Sequence, residues 1–239
     1  MKKHKFLLQA FLIVAGIIAA ISLANMVAGN GFYLFYNFGY GILLSTALPL
    51  WFVYKENGTL QSLGIKRLGL KQLIIIVSFI VFSIGGQLIP LDLAAIEFEL
   101  FYISCVPLIM TTFFEEFLFR GYMQIRLEKQ YGWIVAVLLS GFFFSIYHLG
   151  YPGFRTITDL LILFAVGIGF ALSFKLSGGN VVVSYLVNLP NAFLTYILKA
   201  GQFPIFYRST TVFAGITIAF VFIILFFFRR KGRSDCHVL

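Results

Sequence analysis

Apolar runs about as long as a bilayer is thick recur from one end of this chain to the other, and that repetition constrains the fold more than any single residue does. A hydrocarbon core about 30 Å thick is crossed by about 20 residues of helix at 1.5 Å per residue. By that ruler the sequence predicts eight spans, at about 6–28, 33–54, 72–91, 101–120, 133–150, 159–175, 180–198 and 211–228. Composition agrees: only 11% of the residues are charged, against about 25% in soluble domains. The expected fold class is therefore all-α, a polytopic membrane protein with a bundle of eight transmembrane helices in one membrane domain over 1–239. The apolar run after Lys5 exceeds the 7–15 residues of a signal peptide, which predicts a retained first helix.

The charges between the runs test this count independently. Lys2, Lys3 and Lys5 precede the first run, and Lys55, Lys66, Arg67 and Lys71 follow the second. Arg126 and Lys129 follow the fourth, Lys175 the sixth, and Arg229, Arg230, Lys231 and Arg233 the last. All of these fall on one side of the membrane if both termini are cytoplasmic. The other side receives only Arg155, Lys199 and Arg208, together with Asp92, Glu97, Glu99 and Asp159. That asymmetry is the positive-inside pattern, and it requires an even number of spans. The net charge of +9 is thus explained by topology, and no basic face for nucleic acid remains. Cys105 and Cys236 are too few for a disulfide framework or a cysteine metal site.

Against this background, Glu115 and Glu116 are conspicuous. A charged side chain at mid-membrane costs roughly 2.5–3.5 kcal/mol on insertion scales, so two adjacent carboxylates need a function or partners. Glu116 and Arg120 are four apart on one helix face and form an expected structural ion pair. Glu115 is rotated about 100° away, lacks a cation on its own face, and is left as the available carboxylate. His148 near the end of the fifth run shares a helix side with Phe144 and Ser145. In the seventh run Ser184, Asn188, Asn191 and Thr195 form a polar stripe, and Pro190 is expected to bend that helix. The same residues also suit plain roles: interhelical salt bridges for the glutamates, a packed histidine, and Ser/Asn/Thr hydrogen bonds between helices. Gly167 and Gly169 suit close helix packing.

Glu115-Glu116-x-x-x-Arg120, followed by Phe144-x-x-x-His148 and then Gly179-Asn180 leading into a polar helix, resembles the CPBP family of membrane CAAX proteases and bacteriocin-processing or immunity proteins, also called Abi. The resemblance covers about 106–198. It implies an intramembrane endopeptidase with a pocket formed mainly by spans four, five and seven. Its substrate would be a peptide or a lipid-anchored protein, in the plasma membrane of a bacterium. Carried over to this chain, Glu115 is the general base, His148 assists it, Asn188 and Asn191 are oxyanion donors, and Phe144 and Ser184 line the pocket. The family commonly has a second histidine in the last motif, and here that position is Asn188.

An Asn amide is a poor zinc ligand, so a glutamate-activated water is favoured over zinc, and no metal or cofactor is expected. The missing histidine also leaves open an impaired member that acts as an immunity or regulatory scaffold. A proton-carrying transporter is the third reading, with neither repeated halves nor a pathway visible to support it. Beyond substrate and membrane lipids, the sequence gives no oligomeric state. One geometric demand follows from the spans: drawn straight, they separate Glu115 and His148 by roughly 12–14 Å in depth. For the two to meet, span four is expected to start later, near Pro107, and continue into the charged Gln124–Gln130 stretch, while span five tilts or starts within the cytoplasmic boundary.

Overall fold

The computed structural model describes residues 3–27, 30–88, 98–198 and 208–234, and contains helices and no strand among them. The N-terminal half comprises α1 (Lys3–Met26), α2 (Asn30–Tyr33), a π-helical Leu34–Ala47, α3 (Leu48–Lys55) and α4 (Leu70–Leu88). The second half begins with α5 (Phe98–Glu116), a π-helical Phe117–Gln124 and α6 (Ile125–Tyr131). It continues through α7 (Trp133–Tyr147), α8 (Ile157–Leu176), α9 (Val181–Leu198) and α10 (Arg208–Ser234). Among the described residues, each of the eight runs read from the sequence falls largely on helix.

Three of these helices are both long and apolar enough to cross a membrane: Lys5–Met26, Trp133–Gly150 and Ile157–Leu176. Leu70–Gly85, Val181–Thr195 and Val212–Phe228 are shorter apolar helices. Large apolar side chains such as Phe82, Ile157 and Phe222 are exposed on outward faces. Such faces belong in lipid, because water would leave them as unfavourable patches. The chain is an integral membrane protein.

Tertiary packing places α9 at the centre of the second half, against α4, α5 and α8, while α7 lies along α8 and α10 along α5. One buried apolar cluster, reaching from Phe6 to Val221, joins these elements. The α7–α8 contact is close because it is made by glycines. A Cβ on Gly167 would lie 3.0 Å from the Gly141 Cα and 3.0 Å from a Phe144 ring carbon. Gly169, the other glycine expected to pack closely, has nothing within 4 Å of its Cβ position. Gly167→Val is therefore expected to force α8 off α7 and destabilise the protein by about 1–3 kcal/mol, the usual cost of overpacking. Gly169→Val should leave stability unchanged, and thermal unfolding in detergent micelles compares the two.

The depth difficulty is resolved by a hairpin rather than by a late start of span four. α5 already runs from Phe98, so Pro107 lies inside it, contrary to expectation. The continuation into the charged stretch is present: helix persists without a break through Phe117–Gln124 to Tyr131. Gly132, at φ 82°, then turns the chain directly into α7. Glu115 lies 17 residues before Gly132 (132 − 115) and His148 lies 16 after it (148 − 132). Both are thus roughly 25 Å from the turn, at the same level.

The loop between α3 and α4 packs into the protein. Its Leu63 is fully buried, and its backbone is tied to the start of α9. The Val181 N–H donates to the Gly64 carbonyl at 2.8 Å, and Asn180 Nδ2 donates to the Arg67 carbonyl at 3.1 Å. Asn180 Oδ1 also accepts from the Val182 N–H at 3.1 Å, which satisfies a donor in the first turn of α9. The Gly179-Asn180 motif therefore anchors the helix that carries Asn188.

Candidate active site

Glu115 and Glu116 end α5, where the backbone passes into the π-helical turn Phe117–Gln124. Both are buried, and Arg120 is completely so. The expected i,i+4 pair is present, with Arg120 Nε 3.4 Å from Glu116 Oε2. Its remaining donors hold two other helices. Arg120 Nη1 donates to Ser140 Oγ on α7 at 2.9 Å, and Nη2 donates to the Gly167 carbonyl on α8 at 3.2 Å. Its guanidinium carbon lies 5.1 Å from the centre of the Phe144 ring, within cation–π range. Arg120 therefore fixes the end of α5 against the α7–α8 pair.

Phe144 links that network to His148. Its carbonyl lies 2.7 Å from His148 Nδ1. A carbonyl only accepts, so Nδ1 carries the proton and Nε2 of the neutral ring is left as an acceptor. The four-residue spacing of Phe144 and His148 thus has a physical content: one turn of helix sets the tautomer of the imidazole, and the same residue's ring faces Arg120.

Asn188 joins the third helix to the pair. Its Nδ2 donates to Glu115 Oε2 and to Glu116 Oε1, both at 2.9 Å. The Tyr147 hydroxyl donates to Glu115 Oε1. Each carboxylate oxygen of Glu115 therefore already accepts one bond and retains capacity for another. Tyr147 also packs on His148, with ring centres 4.1 Å apart. Sequence reasoning missed Tyr147, although its adjacency to His148 was visible.

Glu115, His148, Phe144, Asn188, Asn191 and Thr195 line one cavity of about 90 Å³. One water needs about 10–15 Å³ of such space, so the cavity has room for a few molecules. Tyr36, Thr111, Tyr147 and Tyr151 add hydroxyls to its wall. Thr111 is four residues before Glu115 on the same helix face, a signal the sequence contained. Tyr36 comes from a distant helix and carried no such signal.

Two expected roles change. Ser184 is outside this cavity, because its buried hydroxyl donates to the Val181 carbonyl of its own helix at 3.1 Å. Neither Asn offers a spare N–H for an oxyanion. Both Asn188 donors face carboxylates, and Asn191 Nδ2 donates to Ser83 Oγ at 3.0 Å and to the Val187 carbonyl at 2.7 Å. Asn188 clamps the glutamate pair, whereas Asn191 ties α9 to α4.

Among the described residues no group of three or more His, Cys, Asp or Glu is placed to hold a metal. Glu116 is engaged by Arg120, and Asn188 turns its nitrogen toward the carboxylates.

Residues 97–191 match the family model for type II CAAX prenyl endopeptidase Rce1-like proteins. That segment contains the Glu115–Glu116–Arg120, Phe144–His148 and Asn188 constellation. No curated protein and no solved structure matches the chain.

Proposed function

From the match of residues 97–191 to the Rce1-like CAAX prenyl endopeptidase family model, we propose that the chain hydrolyses a peptide bond with water activated by Glu115. The observation that carries the reading is the shared cavity: a buried carboxylate and an imidazole acceptor border a space sized for a few waters. Water attacks the substrate carbonyl carbon, and its proton passes to Glu115. The C–N bond then breaks, and the proton is delivered to the leaving amine. His148 Nε2 accepts a hydrogen bond from the same water and orients it. Asn188 and Tyr147 hold the Glu115 carboxylate, while Glu116 and Arg120 keep the end of α5 in place.

The substrate proposed is a membrane-anchored peptide ending in a prenylated cysteine and three further residues, in line with the family description. An unprenylated peptide is the corresponding bacterial substrate. All eight apolar helices are proposed to cross the bilayer, with both termini cytoplasmic, because that arrangement keeps the basic clusters on one side.

One observation favours a second reading, a binding scaffold without turnover. Asn188 occupies the position of the family's usual second histidine and is already bonded to both glutamates. Liposome-reconstituted protein and a fluorescence-quenched farnesylated peptide decide between the two. Cleavage that continues undiminished in a strong chelator is the expected result. Stoichiometric zinc required for cleavage would overturn the proposed mechanism, and binding without cleavage would favour the scaffold.

A further inference from the structure

Attack by water turns the substrate carbonyl into an oxyanion, and the donors first expected to meet it are committed elsewhere. Asn188 donates to two carboxylates and Asn191 is held by Ser83 and Val187; Tyr147, which the structure adds to the wall, donates to one carboxylate. Bonds to ionised acceptors are roughly twice as strong as neutral ones, so turning Asn188 or Tyr147 toward the substrate would also uncouple Glu115.

The cavity wall holds a second kind of donor. Tyr36, Thr111 and Tyr151 are buried and bonded hydroxyl to hydroxyl: Tyr36 to Thr111 at 3.1 Å and Tyr36 to Tyr151 at 2.9 Å. These are neutral bonds, and a hydroxyl proton rotates to suit its acceptor. Redirecting one of them disturbs no carboxylate. Tyr151 stands beside the imidazole, its ring centre 5.8 Å from that of His148. A phenol is also more acidic than the threonine alcohol, hence the stronger donor to developing negative charge.

We propose that the Tyr151 hydroxyl, oriented by Tyr36 and Thr111, donates the hydrogen bond that stabilises the oxyanion. The inference rests on the hydrolytic reading of the Glu115 site. The proton stays on Tyr151 throughout, and no bond to the substrate is made or broken by it. Tyr36 is a positioning residue, since it acts through Tyr151.

Steady-state cleavage of the farnesylated reporter peptide in liposomes tests the assignment, with Glu115→Gln measured alongside. Tyr151→Phe keeps the ring against His148 and removes only the hydroxyl. It should lower kcat on the order of 10²-fold, as loss of an oxyanion donor does, and leave KM within about twofold. A peptide aldehyde, whose hydrate mimics the tetrahedral intermediate, should lose affinity in step with kcat/KM. Tyr36→Phe leaves Tyr151 in place and should lower kcat by a smaller factor, again at constant KM; this variant serves if Tyr151→Phe fails to fold.

Full kcat in Tyr151→Phe with an inactive Glu115→Gln overturns this inference and leaves the hydrolytic reading standing. A rise in KM alone also overturns it, because the ring would then only seat substrate. Full activity in Glu115→Gln removes both.

Discussion

Glu115→Gln is expected to abolish cleavage of the reporter peptide while leaving the protein folded. General-base catalysis is typically worth about 10²–10⁴-fold, and an amide cannot take the proton of the attacking water. The fold should survive because both neighbours of Glu115 adapt to an amide. The new carbonyl oxygen accepts from Asn188, and the new NH₂ faces the Tyr147 hydroxyl, which can accept as well as donate. The loss should appear in kcat, with thermal unfolding close to that of the wild type. His148→Ala should also lose activity, since it removes the acceptor that orients the water. Undiminished cleavage by folded Glu115→Gln would refute the mechanism, and a wild-type phenotype for both variants would leave the binding scaffold.

The second large effect is on stability. Arg120→Leu is expected to destabilise the protein by about 3–5 kcal/mol, the range measured when one partner of a buried pair is removed. Arg120 is fully buried and Glu116 is 1% exposed, so deleting the cation leaves a carboxylate with Asn188 as its remaining donor. Ser140 and the Gly167 carbonyl lose their donor in the same step, which loosens α5 from both α7 and α8. The double variant Glu116→Leu/Arg120→Leu should be less destabilised than Arg120→Leu alone, because no unpaired charge remains. Reversible unfolding of the protein in bicelles provides the comparison. A change below about 1 kcal/mol for Arg120→Leu would show that the pair behaves like an exposed one.

These predictions depend on unequal parts of the sequence. Helix positions were legible because apolar length is a property of the local chain. The assignment of Glu116 to Arg120 was legible for the same reason, as residues four apart share a helix face. The level of Glu115 with His148 was not. It depends on where the helix through Glu115 ends, and a single glycine at positive φ, Gly132, sets that point. Straight spans of equal length misplace both residues.

The polar stripe on α9 shows the other limit. Spacing put Ser184, Asn188, Asn191 and Thr195 on one face, and three of the four do line the cavity. Ser184 lies a turn away, bonded within its own helix. The family resemblance also assigned the asparagines as oxyanion donors, because donor count can be read from residue type. Whether a donor is already engaged is decided by what stands opposite it. Here the two carboxylates claim Asn188, and Ser83 with the Val187 carbonyl claims Asn191.

By itself the sequence determined that this chain is helical and membrane-embedded, and that Glu115, Glu116, Arg120, His148 and Asn188 are the residues carrying a cost that lipid would not tolerate without a role. Hydropathy and the 3.6-residue period suffice for that. Only the tertiary structure decided which groups meet: the turn at Gly132 that levels Glu115 with His148, Asn188 bridging the glutamates, and the hydroxyls of Tyr36 and Tyr151 in the same wall. Those meetings are made between segments up to 115 residues apart in the chain, at distances that no local periodicity encodes.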